Sequence, residues 1–251
     1  MKRLKKTKII ATLGPSTSSI ETIESLIKEG VDVFRINFSH STHKEEEFLI
    51  KSIRKINDSL SKNIAILADL QGPKLRIGNV VDDTHLNFGE KITIKTDKYF
   101  KGNKNKLFLN YQNLAKDLNK GEKILIDDGK IILKVIDTNG KHEVTAEVLQ
   151  GGELSSNKGF NLPNTNISQP ALTDKDIDDA IFSAKHNVDW IALSFVRNGS
   201  DIKSLVKLLE NNTSHRIPII AKIEKPEGVK NIDEIMKYSS CLLYTSQSPR
   251  D

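Results

Sequence analysis

The chain has 251 residues, 37% of them hydrophobic and 28% charged, a composition that excludes a largely disordered protein. Lys and Arg outnumber Asp and Glu by 38 to 33, but five of the basic residues fall within the first eight positions. The positive excess is therefore local and the remainder of the chain is balanced in charge, so we expect no nucleic-acid partner. The sequence lacks a long apolar run, a signal-peptide core and more than one cysteine, and it therefore predicts a cytoplasmic protein with no membrane association.

The first part of the chain alternates between strand-like and helix-like patterns. Strand-like runs are apolar and β-branched, whereas helix-like runs place apolar residues three and four positions apart. Such alternation predicts a parallel sheet joined by right-handed helical crossovers. The predicted strands are 8–14, 31–39 and 63–70, and the predicted helices are 20–29 and 41–60.

The pattern changes at residue 71. From 71 to 168 the chain holds short alternating runs and no helical period of useful length, except around residues 113–120. Asp128-Gly129 and Asn139-Gly140 separate the later runs, and such pairs favour two-residue hairpin turns. The segment 71–168 is therefore predicted to be an all-β domain inserted into the α/β layer.

The strand–helix alternation resumes after the insert. Thr173 and Asp176 have the spacing of a capping box at the start of a helix. Further helices are predicted at 200–212 and 227–239, and strands at 190–195 and 218–224. The total is about five βα units, which predicts a partial (β/α)₈ barrel interrupted after its third strand, because a closed barrel needs eight units.

The predicted domains are 1–70 and 169–240 for the two parts of the barrel, 71–168 for the β-insert, and 241–251 for a tail. Residues 241–251, CLLYTSQSPRD, show no strand pattern that would begin a sixth unit. We therefore expect a chain that stops in the middle of its fold, with a tail that is foreign or frame-disrupted.

Polar residues lie at or just beyond the carboxyl-terminal ends of the predicted barrel strands, where the active sites of parallel barrels are built. They are Arg35, Asn37, Ser39, His40, Asp69, Ser194, Arg197, Lys222 and Glu224. Strand alternation places Arg35 and Asn37 on one face, and Lys222 and Glu224 on one face. If these faces share one opening, two cations and two carboxylates converge, which suits an anionic substrate bridged by a divalent metal. Ion pairs between neighbouring loops would account for the same residues.

Several blocks of the sequence, taken in order, resemble one known family, the pyruvate kinases. The blocks are TKIIATLGPST, VDVFRINFSH, ILADLQGPKLRIG, ILIDDGKI, NKGFNLPNT, ALTDKD, WIALSFVR and IIAKIEKPEGVKNIDEI. They cover almost all of residues 7–240 in the order and spacing of that family. The resemblance implies a (β/α)₈ barrel with a small β-domain that closes over the site. It also implies phosphoryl transfer from phosphoenolpyruvate to ADP, giving pyruvate and ATP.

The resemblance also implies roles for individual residues. Arg35 and Lys222 would be catalytic, holding the transferred phosphate and stabilising its charge, with Ser194 and Phe195 lining the substrate pocket. Glu224 would be a ligand of Mg²⁺ or Mn²⁺. The residues implied to contact the nucleotide are Asn37, His40, Arg76 and Lys158. Those implied to form a monovalent-cation site are Asn37, Ser39, Asp69 and the carbonyl of Leu70.

Two departures from the family pattern lead to further expectations. Lys74 replaces the Glu of potassium-dependent members, so its ammonium could supply the charge of K⁺ and make the chemistry K⁺-independent. The chain also stops before the segment that carries the second metal carboxylate. We therefore expect this fragment alone to be inactive and poorly soluble, and its full-length parent to be a homotetramer. The alternatives are a non-catalytic nucleotide-binding fragment and another metal-dependent barrel enzyme that uses phosphoenolpyruvate.

Overall fold

The computed structural model describes residues 6–39, 41–165 and 167–244. The chain divides into two compact units. One, called here the α/β unit, comprises Met1–Pro73 and Pro170–Asp251, and the other, the β-unit, comprises Lys74–Gln169. The sequence-based boundaries of the insert, 71 and 168, differ from this division by three residues and one residue.

The α/β unit begins with three strands and two helices in alternation. They are β1 (Ile10–Leu13), α1 (Ile20–Glu29), β2 (Val33–Asn37), α2 (His43–Leu60) and β3 (Ala65–Asp69). The hydroxyl of Ser19 accepts a hydrogen bond from the Thr22 N–H and caps α1, while Gly30 ends α1 in the left-handed conformation. Helix α2 opens with a capping box between Thr42 and Glu45.

The β-unit is built around a six-stranded sheet with the order β11-β7-β8-β9-β5-β6. Its elements are β4 (His85–Leu86), β5 (Lys91–Lys95), β6 (Lys106–Phe108), α3 (Leu114–Asp117), β7 (Lys123–Ile126), β8 (Ile131–Thr138), β9 (Glu143–Gln150), β10 (Gly152–Glu153) and β11 (Phe160–Asn161). Strands β7, β8 and β9 pair antiparallel as consecutive hairpins. Both hairpins were predicted, but residues 127–130 and 139–142 connect them, so each connection has four residues rather than two.

The second half of the α/β unit completes its sheet. Its elements are α4 (Asp174–Lys185), β12 (Trp190–Leu193), α5 (Gly199–Glu210), β13 (Ile219–Lys222), α6 (Pro226–Lys230), α7 (Ile232–Tyr238) and β14 (Cys241–Leu243). The sheet order is β1-β2-β3-β12-β13-β14, and every neighbouring pair is parallel. The predicted partial barrel with an inserted all-β domain is therefore confirmed.

Two expectations for the end of the chain were wrong. A single helix was predicted over 227–239, but Asn231 interrupts it with φ −103° and ψ 21°, leaving α6 and α7. Residues 241–251 were expected to contain no strand, yet Cys241–Leu243 pair in parallel with Ile220–Lys222 as a sixth strand. Three residues are too few to show an alternating pattern in sequence, and the neighbouring strand β13 supplies the pairing. Residues 245–251 lie outside the described part of the chain.

The two faces of the α/β sheet differ in what they pack against. Side chains at alternate positions, such as Phe34, Ile66 and Ile191, join the main core together with residues of the helices. The opposite face carries only a small apolar cluster of Leu67, Ala192 and Ile220, with Val33, Trp190 and Leu243 packed against it. Because side chains alternate along each strand, Arg35, Asp69 and Lys222 belong to this second face.

Candidate active site

Five polar side chains meet at the carboxyl ends of β2, β3, β12 and β13. We call this group the strand-end cluster, and its members are Arg35, Asp69, Ser194, Lys222 and Glu224. All five were candidates from the sequence, and the structure brings them into direct contact. The parallel register explains the convergence, because it aligns the ends of adjacent strands at one edge of the sheet.

Asp69 is the centre of the strand-end cluster. Its side chain is 0% exposed, and its Oδ2 accepts a hydrogen bond from Arg35 Nε at 2.7 Å. Lys222 Nζ lies 3.2 Å from both Oδ1 and Oδ2 of Asp69. A buried charge is tolerated when it is paired and hydrogen-bonded, and Asp69 meets both conditions. This single carboxylate therefore holds a guanidinium and an ammonium close together.

The hydroxyl of Ser194 contacts the ammonium of Lys222 and is itself bonded to the carbonyl of Leu70. The hydroxyl of Ser194 donates to Leu70 O at 2.6 Å and accepts from Lys222 Nζ at 3.0 Å. Ser194 is buried, and its hydroxyl makes both bonds, as donor to one partner and acceptor from the other. The ammonium of Lys222 is thereby oriented by Asp69 at the end of β3 and by Ser194, which directly follows β12.

Glu224 is the more accessible carboxylate of the cluster, with a side chain that is 33% exposed. Its Oε1 lies 3.4 Å from Lys222 Nζ, and its Oε2 accepts a hydrogen bond from the Phe195 N–H at 2.9 Å. Phe195 adopts φ 55°, a left-handed conformation that is rare for a bulky residue. The turn at Phe195 thus directs a backbone donor toward Glu224.

Thr12 is a contact that the sequence analysis did not identify. Its hydroxyl accepts a hydrogen bond from Arg35 Nη1 at 2.9 Å, and Thr12 is the register partner of Arg35 in the β1–β2 pair. One signal was available, because Thr12 is a polar residue inside an otherwise apolar strand. Arg35 is therefore held by two neighbouring strands, through Thr12 and Asp69.

Of the residues predicted for a monovalent-cation site, Asn37 and Ser39 contact each other, whereas the Asp69 carboxylate pairs with Arg35 and Lys222 and the Leu70 carbonyl accepts from Ser194. Asn37 ends β2 beside Asp69 in the β2–β3 register, and its Oδ1 accepts from the Ser39 N–H at 3.0 Å. The Asn37 carbonyl accepts from the Ser41 hydroxyl at 3.2 Å. His40, predicted to contact the nucleotide, lies outside the described residues.

The other predicted nucleotide contacts, Arg76 and Lys158, lie on adjacent segments of the β-unit. The Ile77 N–H donates to the Lys158 carbonyl at 3.0 Å, which places the two segments side by side. Arg76 Nη1 donates to the carbonyl of Asn157 at 2.6 Å. Lys158 Nζ lies 3.1 Å from Asp127 Oδ1, and Lys130 Nζ lies 2.9 Å from its Oδ2.

Asp127, Lys130 and Lys158 form a second charged group, called here the Asp127 cluster. The hydrogen bonds from Lys130 and Lys158 lower the pKa of Asp127 below its ordinary value. Lys74 also belongs to the β-unit, and its carbonyl accepts from Asn110 Nδ2 at 3.1 Å.

A divalent cation could be held only in part by the protein side chains described. Across residues 6–39, 41–165 and 167–244, no three His, Cys, Asp or Glu side chains form a set that could hold a metal ion. The Asp69 carboxylate already pairs with the side chains of Arg35 and Lys222, which leaves Glu224 as the accessible carboxylate of the strand-end cluster. Mg²⁺ commonly binds through one or two carboxylates together with substrate oxygens and water, so the donor set fits such an ion.

Among the helices in the same ranges, none has the length and apolar character needed to cross a bilayer.

Comparison with known proteins gives a consistent picture. A family model described as "Pyruvate kinase, barrel domain" matches residues 4–246. A pyruvate kinase of Staphylococcus haemolyticus is 41% identical over 241 residues, which is 96% of this chain and 41% of that protein. One from Staphylococcus saprophyticus is 44% identical over 244 residues, covering 96% and 41%. One from Corynebacterium efficiens is 42% identical over 233 residues, covering 92% and 48%. The chain thus spans less than half the length of these relatives.

Proposed function

The chain belongs to the pyruvate kinase family, and on that premise we propose that its strand-end cluster binds the phosphoryl group of phosphoenolpyruvate for transfer to ADP. The observation that carries the proposal is the bridging of Arg35 and Lys222 by the buried Asp69. Two cations held at the open end of a sheet form a site for an anion. The family is one of phosphotransferases, and the substrate assignment is our proposal for this chain.

The proposed reaction needs little covalent chemistry from the protein. An oxygen of the ADP β-phosphate forms a bond to phosphorus, while the bond from phosphorus to the enol oxygen of phosphoenolpyruvate breaks. The electron pair stays on the leaving oxygen as an enolate, and a proton added to its carbon gives pyruvate. Such transfers depend on positioning and on stabilisation of negative charge.

Arg35 and Lys222 have separate roles in this scheme. Arg35 is held from two strands by Thr12 and Asp69, so its planar donors can orient the transferring phosphoryl group. Lys222 is aimed by Asp69 and Ser194, and it would stabilise charge on the phosphoryl oxygens and on the enolate. Because these contacts hold both cations in place, little reorganisation is needed at the moment of reaction.

Two cation requirements complete the proposal. Glu224 would hold Mg²⁺ or Mn²⁺ together with oxygens of the substrate, and the bound ion would neutralise phosphate charge. We also propose that Lys74 makes the reaction independent of K⁺. A kinase assay with and without K⁺ tests this point, and strong activation by K⁺ would contradict it.

The nucleotide would be contacted by Arg76 and Lys158 of the β-unit, with Asn37 and His40 as further candidates. Adjacent segments of the β-unit contain Arg76 and Lys158, which supports a shared role for the two cations. Both side chains make hydrogen bonds to oxygen atoms of the β-unit, and the oxygens of a diphosphate could replace those partners.

Calorimetric titration of the purified chain with phosphoenolpyruvate in the presence of Mn²⁺ tests the substrate assignment. Replacing Lys222 with Met removes a charge-assisted hydrogen-bond donor, and the affinity should fall by about 10- to 100-fold. Lys28→Met is the matched control, because Lys28 pairs with Glu24 on α1 in the same unit and lies outside the strand-end cluster. Equal losses in both variants, or no binding by the unmodified chain, would refute the assignment.

Titration with ADP tests the β-unit separately. Lys158→Met should weaken ADP binding by about tenfold, whereas Lys130→Met should not, although both lysines contact Asp127. A chain that binds ADP but does not bind phosphoenolpyruvate would favour the alternative of a non-catalytic nucleotide-binding fragment.

A further inference from the structure

Asp176 is a buried carboxylate that the proposed reaction does not use. It lies at the start of α4 with 0% exposure, and its carboxylate accepts three hydrogen bonds, two from main-chain N–H groups and one from a hydroxyl. Its Oδ2 accepts from the N–H and the hydroxyl of Thr173, at 2.9 and 2.6 Å. Its Oδ1 accepts from the Gly72 N–H at 2.9 Å, across 104 positions of sequence.

The capping of α4 does not require the bond to Gly72. Helix α2 has the same capping box, in which Glu45 Oε2 accepts from the N–H and hydroxyl of Thr42, each at 2.8 Å. Glu45 is exposed, whereas Asp176 is fully buried. Burying a carboxylate is costly unless it gains further partners, so the hydrogen bond that Asp176 accepts from the Gly72 N–H has a role separate from capping.

Gly72 lies directly against the turn that follows β12. It has φ +69°, and a Cβ atom placed on it would lie 2.8 Å from both Ser194 Cβ and Phe195 Cδ2. Ser194 contacts Lys222, and the Phe195 N–H contacts Glu224. A shift of Gly72 would therefore be transmitted to two residues that hold the strand-end cluster.

Asp176 also joins two distant segments of the α/β unit. Gly72 follows β3 and comes just before the start of the β-unit, while Thr173 lies just after its end. One carboxylate thus fixes, on the side of the α/β unit, both segments that connect it to the β-unit.

We propose that Asp176 is a positioning residue that acts through Gly72 on the Ser194–Phe195 turn, and so sets the placement of Lys222 and Glu224. The binding measurement below rests on the function proposed above, whereas the exchange measurement does not. Asp176 touches no reacting group in this proposal, and its effect is transmitted by packing and by main-chain hydrogen bonds.

The test compares Asp176→Ala with Thr173→Ala. Both variants lose the hydrogen bond from the Thr173 hydroxyl to the Asp176 carboxylate, but Thr173→Ala retains the carboxylate, which still accepts from the N–H groups of Gly72 and of residue 173. Hydrogen exchange of the Phe195 amide is measured by mass spectrometry, and phosphoenolpyruvate affinity by calorimetry. In Asp176→Ala we expect Phe195 exchange at least about tenfold faster and affinity about tenfold weaker. In Thr173→Ala both should change less than about twofold, with faster exchange confined to the first turn of α4.

Several results would overturn the proposal. Similar effects of the two variants would show that only the cap of α4 matters. Unchanged Phe195 exchange in Asp176→Ala would show that the loss of the bond to Gly72 does not affect the Ser194–Phe195 turn, whether or not phosphoenolpyruvate binds. Faster Phe195 exchange with unchanged affinity would make Asp176 purely structural.

One measurement needs no variant and so remains decisive if Asp176→Ala fails to fold. In the unmodified chain, the Gly72 amide should exchange at least about 100-fold more slowly than the Gly140 amide. The Gly140 N–H donates to the hydroxyl of Thr138 in an exposed hairpin turn, whereas the Gly72 N–H donates to a buried carboxylate. Equally fast exchange of the two amides would overturn the proposal.

Discussion

The two units contain the same charge motif in different surroundings. In the strand-end cluster, Asp69 lies between Arg35 and Lys222, and in the Asp127 cluster, Asp127 lies between Lys130 and Lys158. The N–O distances overlap, at 2.7 to 3.2 Å for Asp69 and 2.9 to 3.1 Å for Asp127.

The two motifs differ in burial. The cations around Asp69 are 11% and 13% exposed, whereas those around Asp127 are 73% and 36% exposed. Contact geometry alone therefore does not distinguish them, but the screening by water does. Burial strengthens each charge interaction and makes the loss of one partner costly, whereas the side chains of a solvated motif rearrange at little cost.

The largest expected effect comes from neutralising the central carboxylate of each motif. Asp69→Asn leaves two buried cations without their counter-charge and should lower the free energy of unfolding by about 3–5 kcal/mol. Asp127→Asn should lower it by less than about 1 kcal/mol, since its lysines are hydrated and Asn tolerates the φ of 52° at this position. Urea unfolding followed by the single tryptophan, Trp190, reports on the α/β unit, and hydrogen exchange reports on the β-unit. Equal losses would show that burial does not separate the two motifs.

A second comparison concerns glycines that both adopt positive φ. Gly89→Ala in the β-unit places a methyl group in open space at φ +80° and should cost about 1 kcal/mol of backbone strain. Gly72→Ala adds the approach of 2.8 Å to Ser194 and Phe195, so the total cost should be about 3 kcal/mol. Thermal unfolding of the two variants measures the difference, and a Gly72→Ala variant as stable as Gly89→Ala would contradict the close packing at this turn.

A third comparison removes one buried hydroxyl from each unit. Ser194→Ala leaves the Leu70 carbonyl and the Lys222 ammonium each without one partner, and should cost about 2 kcal/mol. Thr84→Val removes a single bond, from the Thr84 hydroxyl to the Val81 carbonyl, and should cost about 1 kcal/mol. Only Ser194→Ala should also weaken phosphoenolpyruvate binding, so calorimetry separates a role in the site from a role in stability.

The smallest effect is a difference in pH dependence between two glutamates. Burial raises the pKa of Glu46 above its ordinary value of 4.5, the Ser41 hydroxyl opposes this, and repulsion from Asp179 adds to it. His43 and Lys175 also face Glu46 and lower its pKa in part. In the β-unit, the Asn87 backbone N–H lowers the pKa of Glu90.

The signs of the two contributions are opposite. Folded Glu46 binds its proton more tightly than the unfolded chain, so its contribution to stability falls as pH rises above 4.5 toward the raised pKa. Glu46→Gln should therefore raise the melting temperature more at pH 8 than at pH 5. The contribution of Glu90 is present above 4.5 and is lost as pH falls, so the cost of Glu90→Gln should shrink on acidification. Parallel pH profiles for both variants would contradict the assignment of burial as the cause at Glu46.

Much of the α/β unit was predictable because its signals are local. The capping box at Thr173 and Asp176 was predicted from spacing and is present. The strand-end candidates followed from a simple rule, that parallel strands end at one edge. The hydrogen bond that Asp176 accepts from the Gly72 N–H was not predictable, because Gly72 is 104 positions away and no local pattern marks the pair. Thr12 was overlooked for a related reason, since its partner Arg35 is set by register rather than by spacing.

The amino-acid sequence by itself determined the order of strands and helices, the position of the β-insert and the polar residues at strand ends, since these depend on periodicity and local capping. Only the tertiary structure decided which charges are buried and which main-chain groups they accept from. It also decided that Cys241–Leu243 form a strand, because pairing with β13 fixes a segment too short to specify itself. Burial and long-range hydrogen bonding are properties of the packed sheet, so the difference between Asp69 and Asp127 exists only after folding.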